Sequence, residues 1–159
     1  MTATAEKTLN LTTNPEMVEW PETHYVFIEK VGPFQTNAPQ AWNAMHPLVP
    51  EIAKNNQVTG YMSLYDMEKQ IYRAGVSIGA ESKQLPAGVQ YERFAGGRYA
   101  KFVLTGPFSQ LGEATGRTVE RVRELKLPLR KAFNIENYVD DPRVTPEDRL
   151  RTEILFPVE

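Results

Sequence analysis

The chain has 159 residues, with 18 Lys or Arg, 20 Asp or Glu and 2 His, so its net charge at pH 7 is -2. This length suits a single domain with its own core, and the charge balance lacks the basic excess of nucleic-acid-binding proteins. Cysteine is absent, which excludes disulfide frameworks, thiolate metal sites and cysteine nucleophiles.

The first segment in chain order, residues 1–16, is rich in Thr, Asn and Ala and has no apolar periodicity. It predicts a flexible N-terminal arm, and we expect removal of residues 1–15 to leave stability nearly unchanged. No apolar run in the chain approaches the roughly 20 residues that a membrane helix needs. The N-terminus has no hydrophobic signal core, so the expected location is cytoplasmic, without contact with membranes.

An internal repeat follows the arm. Residues 25–34 read YVFIEKVGPF and residues 99–108 read YAKFVLTGPF, and an offset of 74 residues places Gly32 on Gly106 without a gap. Two units are too few for a solenoid. We therefore predict one domain, residues 17–159, that is built by duplication and has a pseudo-twofold axis.

The two halves, about 17–84 and 85–159, show the same order of predicted elements. Each has a short leading strand, a longer strand that ends at Gly-Pro, a helix and two closing strands. Many strands with only two helices indicate an α+β fold with an antiparallel sheet. The predicted strands are 17–20, 26–31, 61–65, 71–78, 89–94, 100–105, 133–138 and 150–156.

The two predicted helices have different sequence signals. Asn37 is a suitable cap for the first helix, and Pro47 and Pro50 predict a break near His46. In the second helix, apolar residues recur at helical spacing behind a cap at Ser109.

Glu136 is the candidate acid of the site. It shares a strand face with Tyr138, and Tyr61 and Tyr65 share a face with Ser63 in the first half, because side chains alternate along a strand. Aligning Tyr65 with Tyr138 places Ser63 opposite Glu136, at the junction of the halves. Two interpretations remain open: an exposed strand residue, which spacing alone favours, or a partly buried acid that recognises a cation or acts as a base.

The two histidines carry little signal. We interpret His24 and His46 as surface or capping residues, with a haem ligand as the minor alternative. The sequence contains no phosphate loop, dinucleotide fingerprint, nucleophile elbow or zinc-protease motif. We expect neither a metal nor a cofactor.

Five short motifs occur in a fixed order. Residues 85–88 read LPAG, 97–100 GRYA, 105–108 TGPF, 135–142 IENYVDDP and 152–158 TEILFPV. In this order and spacing they resemble GyrI-like small-molecule-binding domains. The resemblance implies duplicated β-α-β-β units around a central cleft. The chain departs from the family pattern in two places: at Pro47 and Pro50 in the first helix, and at Asn137, where an apolar residue is common.

The resemblance also implies the site and its ligand. Glu136 receives a small amphipathic or cationic aromatic compound among aromatic side chains, without direct contact with nucleic acid. The predicted ligand-binding residues are Glu136, Tyr138, Tyr61, Tyr65, Trp42 and Phe102.

Three functions remain open. The first is a stand-alone binding protein for drug-like amphipathic compounds. The second is a hydrolase that opens the cyclopropane of DNA-alkylating antibiotics, with Glu136 as the base and Tyr61 or Tyr65 as the proton donor. The third is a gyrase-inhibitor-like interaction module, whose protein partner is DNA gyrase or a separate regulator.

Overall fold

The backbone alternates between strands and two helical regions. In the computed structural model, which describes residues 9–159, the helices are α1 (Phe34–Met45), α2 (Val49–Ala53) and α3 (Leu111–Glu124). The strands are β1 (Glu16–Trp20), β2 (Thr23–Val31), β3 (Val58–Asp66), β4 (Ile71–Ile78), β5 (Gln90–Phe94), β6 (Gly97–Thr105), β7 (Asn134–Tyr138) and β8 (Arg151–Pro157).

The strands form one antiparallel sheet in the order β1-β6-β8-β7-β3-β4-β2-β5. The leading strand of each half pairs with the other half, since β1 pairs with β6 and β5 pairs with β2. The halves also meet in the middle of the sheet, where β3 pairs with β7. The α+β class and the antiparallel sheet are confirmed, and the pseudo-twofold axis stays a prediction.

The first helical region is interrupted where the prolines predict it. A 3₁₀ turn over His46–Leu48 separates α1 from α2, because Pro47 and Pro50 have no N–H to donate to the preceding turn. The cap predicted at Asn37 is wrong, since α1 begins at Phe34 directly after Pro33. The preceding Gly32 has a φ of 130°, which lets the chain turn sharply from β2 into the helix.

The second helical region also begins directly after Gly-Pro. Phe108–Gln110 forms a 3₁₀ turn and α3 follows, so Ser109 lies inside the turn and the predicted cap there is wrong.

The core consists of three apolar clusters. One packs α1 and α2 on β2 and β4, and another packs α3 on β6 and β8. The third lies on the opposite face of the sheet, because Tyr25 and Phe27 alternate with Val26 along β2. The two helical regions therefore lie on the same face and leave the centre of the sheet between them.

The described part of the N-terminal arm follows β6. The N–H of Thr12 donates to the carbonyl of Val103 at 3.1 Å, and the N–H of Thr105 donates to the carbonyl of Asn10 at 2.9 Å. Leu9 and Leu11 pack against the cluster under α3. These contacts differ from the expectation of a flexible arm for residues 9–16, because Leu9 and Leu11 reach apolar surface and the backbone bonds to β6. Residues 1–8 of the predicted arm lie outside the described residues.

Between residues 9 and 159, no helix has the length and apolar character needed to cross a membrane.

Candidate functional site

A cavity of about 1300 Å³ opens between the two helical regions, above the centre of the sheet. Its floor comes from β3, β4 and β7, and its walls from α1, α2 and α3. Typical ligand pockets have volumes of about 300–1,000 Å³. The cavity is therefore large enough for a ligand with several rings.

The cavity brings together five of the six predicted ligand-binding residues. These are Trp42 on α1, Tyr61 and Tyr65 on β3, and Glu136 and Tyr138 on β7. Phe102 is the exception: its side chain is 0% exposed and packs edge-on against Phe156, with ring centroids 6.0 Å apart. The assignment of Phe102 to the site is wrong, because it faces the helices but lies in the core beneath α3.

The register of the central strands places the acid. Ser63 pairs with Glu136, Tyr61 pairs with Tyr138, and Tyr65 pairs with Asn134. The predicted position of Ser63 opposite Glu136 is confirmed. Tyr61, not Tyr65, is the cross-strand neighbour of Tyr138, because β3 and β7 run in opposite directions.

A chain of hydrogen bonds runs across the floor of the cavity. The indole N–H of Trp42 lies 2.9 Å from the hydroxyl oxygen of Tyr72, which lies 2.7 Å from Ser63 Oγ. Ser63 Oγ lies 2.8 Å from the hydroxyl of Tyr138, and Tyr138 donates to Glu136 Oε1 at 2.5 Å. The floor thus connects α1 and β4 to the carboxylate on β7.

Glu136 is half-buried, with its open side in the cavity. Burial raises its pKa, and the hydrogen bond from Tyr138 opposes this effect. Within residues 9–159, no basic side chain lies within 4.0 Å of the Glu136 carboxylate. Glu136 is therefore a partly buried acid and not an exposed strand residue, and its role as cation receptor or base stays a prediction.

The other acids of the lining have partners. Asp140 is paired with Arg151 at 2.8 Å, and Asp141 with Arg143 at 2.9 Å, which lowers the pKa of both carboxyl groups. Both follow the end of β7. Their charge is largely balanced, so Glu136 is the main source of negative potential inside.

The tyrosines of the floor stay protonated over the ordinary pH range. Burial raises the pKa of Tyr72, Tyr138 and Tyr65, and the nearby Glu136 raises each of them further. The hydroxyls of Tyr72 and Tyr138 therefore keep a proton to donate within the floor. The hydroxyl of Tyr65 is buried without a partner among the described residues.

Four aromatic or imidazole rings of the cavity were not assigned to the site from the sequence. Phe34 and Phe108 are the matching phenylalanines of the repeat, and they line the cavity from opposite sides. Tyr72 pairs with Tyr65 across the β3–β4 hairpin. His46 is exposed, yet it also lines the cavity, with its ring centroid 5.1 Å from that of Trp42. The repeat offered a signal for the phenylalanines, and hairpin register offered one for Tyr72.

The remaining residues singled out in the sequence lie away from the cavity. His24 Nδ1 shares a hydrogen bond of 2.6 Å with the hydroxyl of Tyr91. Asn137 points to the opposite face of β7 and donates to Glu153 at 2.9 Å, so this departure from the family pattern does not affect the cavity lining. In the described part of the chain, no group of three or more His, Asp or Glu side chains is placed to hold a metal ion.

Several solved structures share this fold. The C-terminal domain of EcmrR is 19% identical with a TM-score of 0.75, and the match covers 96% of this chain and 98% of that chain. SAV2435 bound to tetraphenylphosphonium is 16% identical with a TM-score of 0.74, covering 91% and 93%. A hydrolase from Listeria innocua is 13% identical with a TM-score of 0.60, covering 93% of each chain. At these identities the similarity concerns the fold alone.

No curated protein matches the chain. The family model of the GyrI-like small molecule binding domain matches residues 13–159, which include the whole sheet, all the helices and the cavity between them. The chain therefore belongs to the GyrI-like family of small-molecule-binding domains.

Proposed function

We propose that the domain binds amphipathic aromatic compounds that carry a positive charge, with Glu136 as the group that receives the charge. The observation that carries this proposal is the position of Glu136. It is a half-buried carboxylate without a basic partner in the described residues, and it faces a cavity lined mainly by apolar and aromatic side chains. A desolvated carboxylate of this kind favours a cationic guest.

The aromatic side chains give the second part of the proposed specificity. The ring of Trp42 is 6.3 Å from that of Tyr61 and 5.6 Å from that of Tyr138. Such rings bury apolar ligand surface and attract a cation by about 0.5–2 kcal/mol. Few directional contacts are available besides Glu136, so we expect the domain to accept several ligands of similar size and charge.

A solved neighbour supports the ligand class. SAV2435, which has the same fold, is bound to tetraphenylphosphonium, a cation surrounded by aromatic rings. A ligand of this type combines the charge and the apolar surface that the cavity complements.

The experiment compares two probes of similar shape. Methyltriphenylphosphonium carries a positive charge, and triphenylphosphine oxide is neutral. Their affinities are measured by calorimetry at pH 8 for the wild type, for Glu136→Gln and for Glu120→Gln, a control on the exposed face of α3. We expect Glu136→Gln to weaken binding of the cation by about 1–3 kcal/mol and to change binding of the neutral probe much less.

The control variant should bind both probes as the wild type does. Equal loss of both probes in Glu136→Gln would mean that the variant damages the cavity and not its charge selectivity. Cation binding that is unchanged in Glu136→Gln would contradict the proposal.

A second candidate function rests on the hydrogen bond between Tyr138 and Glu136. A carboxylate with a raised pKa suits a general base. In a cyclopropane-opening reaction, Glu136 would take a proton from water as the water attacks the ring carbon. The substrate's cyclopropane is joined to a conjugated dienone. The electron pair of the breaking ring bond moves onto this dienone, and the carbonyl oxygen takes a proton from Tyr61. Detection of the ring-opened alcohol, lost in Glu136→Gln while substrate binding is kept, tests this candidate.

The gyrase-inhibitor-like interaction module stays a prediction, and a DNA supercoiling assay tests it.

A further inference from the structure

The hydrogen-bond chain beneath Glu136 has two ends that can act in only one way. At one end the indole N–H of Trp42 can only donate, and at the other end an ionised carboxylate can only accept. Between them lie three hydroxyl groups, each with one proton, which we call the hydroxyl chain: Tyr72, Ser63 and Tyr138.

Counting donors fixes the direction of each proton. Tyr138 uses its proton on Glu136, so the bond between Ser63 and Tyr138 requires Ser63 to donate. Tyr72 must then donate to Ser63, and its oxygen accepts from Trp42. All three hydroxyls therefore point toward the carboxylate.

The opposite direction leaves one proton without an acceptor in the chain. If a protonated Glu136 donated to Tyr138, then Tyr138 would donate to Ser63 and Ser63 to Tyr72, whose oxygen also accepts from Trp42 at 2.9 Å. The proton of the buried Tyr72 hydroxyl would then be unused in the chain. The direction toward Glu136 uses all three hydroxyl protons and is therefore the favoured one.

We propose that Ser63 is a positioning residue, whose hydroxyl transmits the donor direction from Trp42 and Tyr72 to Tyr138 and so keeps Glu136 ionised and aimed into the cavity. Ser63 is 0% exposed, so its hydroxyl is fixed by its protein partners Tyr72 and Tyr138. Hydrogen bonds in such a series strengthen one another where the surroundings are buried. This inference extends the proposed function and rests on it for the choice of cationic probe.

Among the groups around Glu136, only the hydroxyl chain donates a hydrogen bond toward its carboxylate in the described residues. Tyr138 on β7 donates directly, and the hydroxyl of Tyr65 on β3 makes no hydrogen bond within the described residues. Besides Tyr138, the titratable or charged side chains that line the cavity are Tyr61, Tyr65, Tyr72, His46, Asp140, Asp141 and Arg143. On the opposite wall, α3 contributes Leu111, Gly112 and Thr115, none of which titrates.

The test follows the ionisation of Glu136 directly. The side-chain carboxyl carbons of the full chain are labelled with carbon-13, the Glu136 signal is assigned with Glu136→Gln, and its titration midpoint is measured by NMR. We expect Ser63→Ala to raise this midpoint by about 0.5–1 pH unit. Ser63→Thr, which keeps a hydroxyl, should retain the wild-type midpoint.

A second variant interrupts the chain one step earlier. Tyr72→Phe should raise the midpoint less than Ser63→Ala, because the Trp42 N–H lies 3.2 Å from Ser63 Oγ and can still donate to it. The matched controls are Ser77→Ala and Tyr91→Phe, whose hydroxyls bond to Thr59 and His24 outside the hydroxyl chain. Both controls should titrate as the wild type does.

Cation binding gives an independent readout. One pH unit below the wild-type midpoint, Ser63→Ala should bind methyltriphenylphosphonium about 3- to 10-fold more weakly, and triphenylphosphine oxide equally well. An unchanged midpoint in Ser63→Ala, or an equal rise in Ser77→Ala, would overturn the inference. If the wild type does not prefer the cation, the proposed function fails, but the NMR midpoints still decide the role of Ser63.

Discussion

Ser63 on β3 and Glu136 on β7 occupy paired positions of the antiparallel register, although they come from different halves of the chain. Glu136 supplies the carboxylate, and Ser63 supplies the hydroxyl that lies between Tyr72 and Tyr138. The hydrogen-bonded centre of the cavity floor therefore belongs to neither half alone.

The raised pKa of Glu136 predicts how cation binding depends on pH. Above this pKa the carboxylate is charged, and below it the cavity floor is neutral. The affinity for methyltriphenylphosphonium, which has no titrating group, should fall by up to tenfold per pH unit below the midpoint, until it reaches the affinity of Glu136→Gln. Calorimetry over a pH series measures this slope. Glu136→Gln should show a flat profile, and a matching slope in that variant would assign the pH dependence to another group.

The same pKa predicts a stability effect in the ligand-free protein. Because the folded state raises the pKa of Glu136, ionisation opposes folding at high pH, and this penalty disappears as pH falls through the raised pKa. Glu136→Gln should therefore raise the melting temperature at pH 8 by about 2–4 °C, or about 1 kcal/mol. Thermal unfolding at pH 8 and pH 4 measures it. The gain should shrink at pH 4, and a gain of the same size at both pH values would contradict this explanation.

The buried hydroxyl of Tyr65 predicts a stabilising substitution. Its geometry satisfies no hydrogen bond in the described residues, although the side chain of Asn134, its cross-strand neighbour, lowers its pKa. An unsatisfied buried polar group costs about 1–3 kcal/mol. Tyr65→Phe keeps the ring and its edge-on contact with Phe34. We expect the free energy of unfolding in urea to rise by about 1 kcal/mol. Tyr91→Phe, which loses its hydrogen bond to His24, should lower it instead.

The contacts of residues 9–14 revise the expectation for the N-terminal arm. Thr12 bonds to Val103 of β6, and Arg121 of α3 donates to the carbonyl of Thr13 at 2.8 Å. Two variants that begin at Leu9 and at Pro15 isolate the effect of this segment. The shorter one should melt about 4–8 °C lower, since it loses the apolar contacts of Leu9 and Leu11. Equal melting temperatures would restore the picture of a flexible arm.

The sequence predicts the fold well because its signals are local. Alternating side chains locate the strands, and Pro47 and Pro50 locate the break in the first helical region. The register between strands that are distant in the sequence is harder to predict. Tyr72 could not be assigned to the site from the sequence, because its contact with Ser63 depends on the register of the β3–β4 hairpin.

The error at Phe102 has a similar cause. Alternation along a strand indicates which face a side chain occupies, but not which strand lies beneath the cavity. Phe102 faces the helices, as Glu136 does, but β6 lies beneath α3 and away from the junction of β3 and β7. Phe34 and Phe108 show the opposite case: the repeat identified them, but only the packing of both helical regions shows that they line one cavity.

The exchange of leading strands between the halves determines what happens when the backbone is cleaved between them. β1 covers the edge of β6, and β5 covers the edge of β2, so neither half alone keeps both outer strands of its sheet. A break in the 79–89 connection would leave two fragments, each with an unpaired sheet edge and half of the cavity. Because association restores the strand pairing and the apolar contacts, we expect such fragments to reassemble. Ligand binding in the cavity can therefore report reassembly, since the cavity is complete only when both fragments are present.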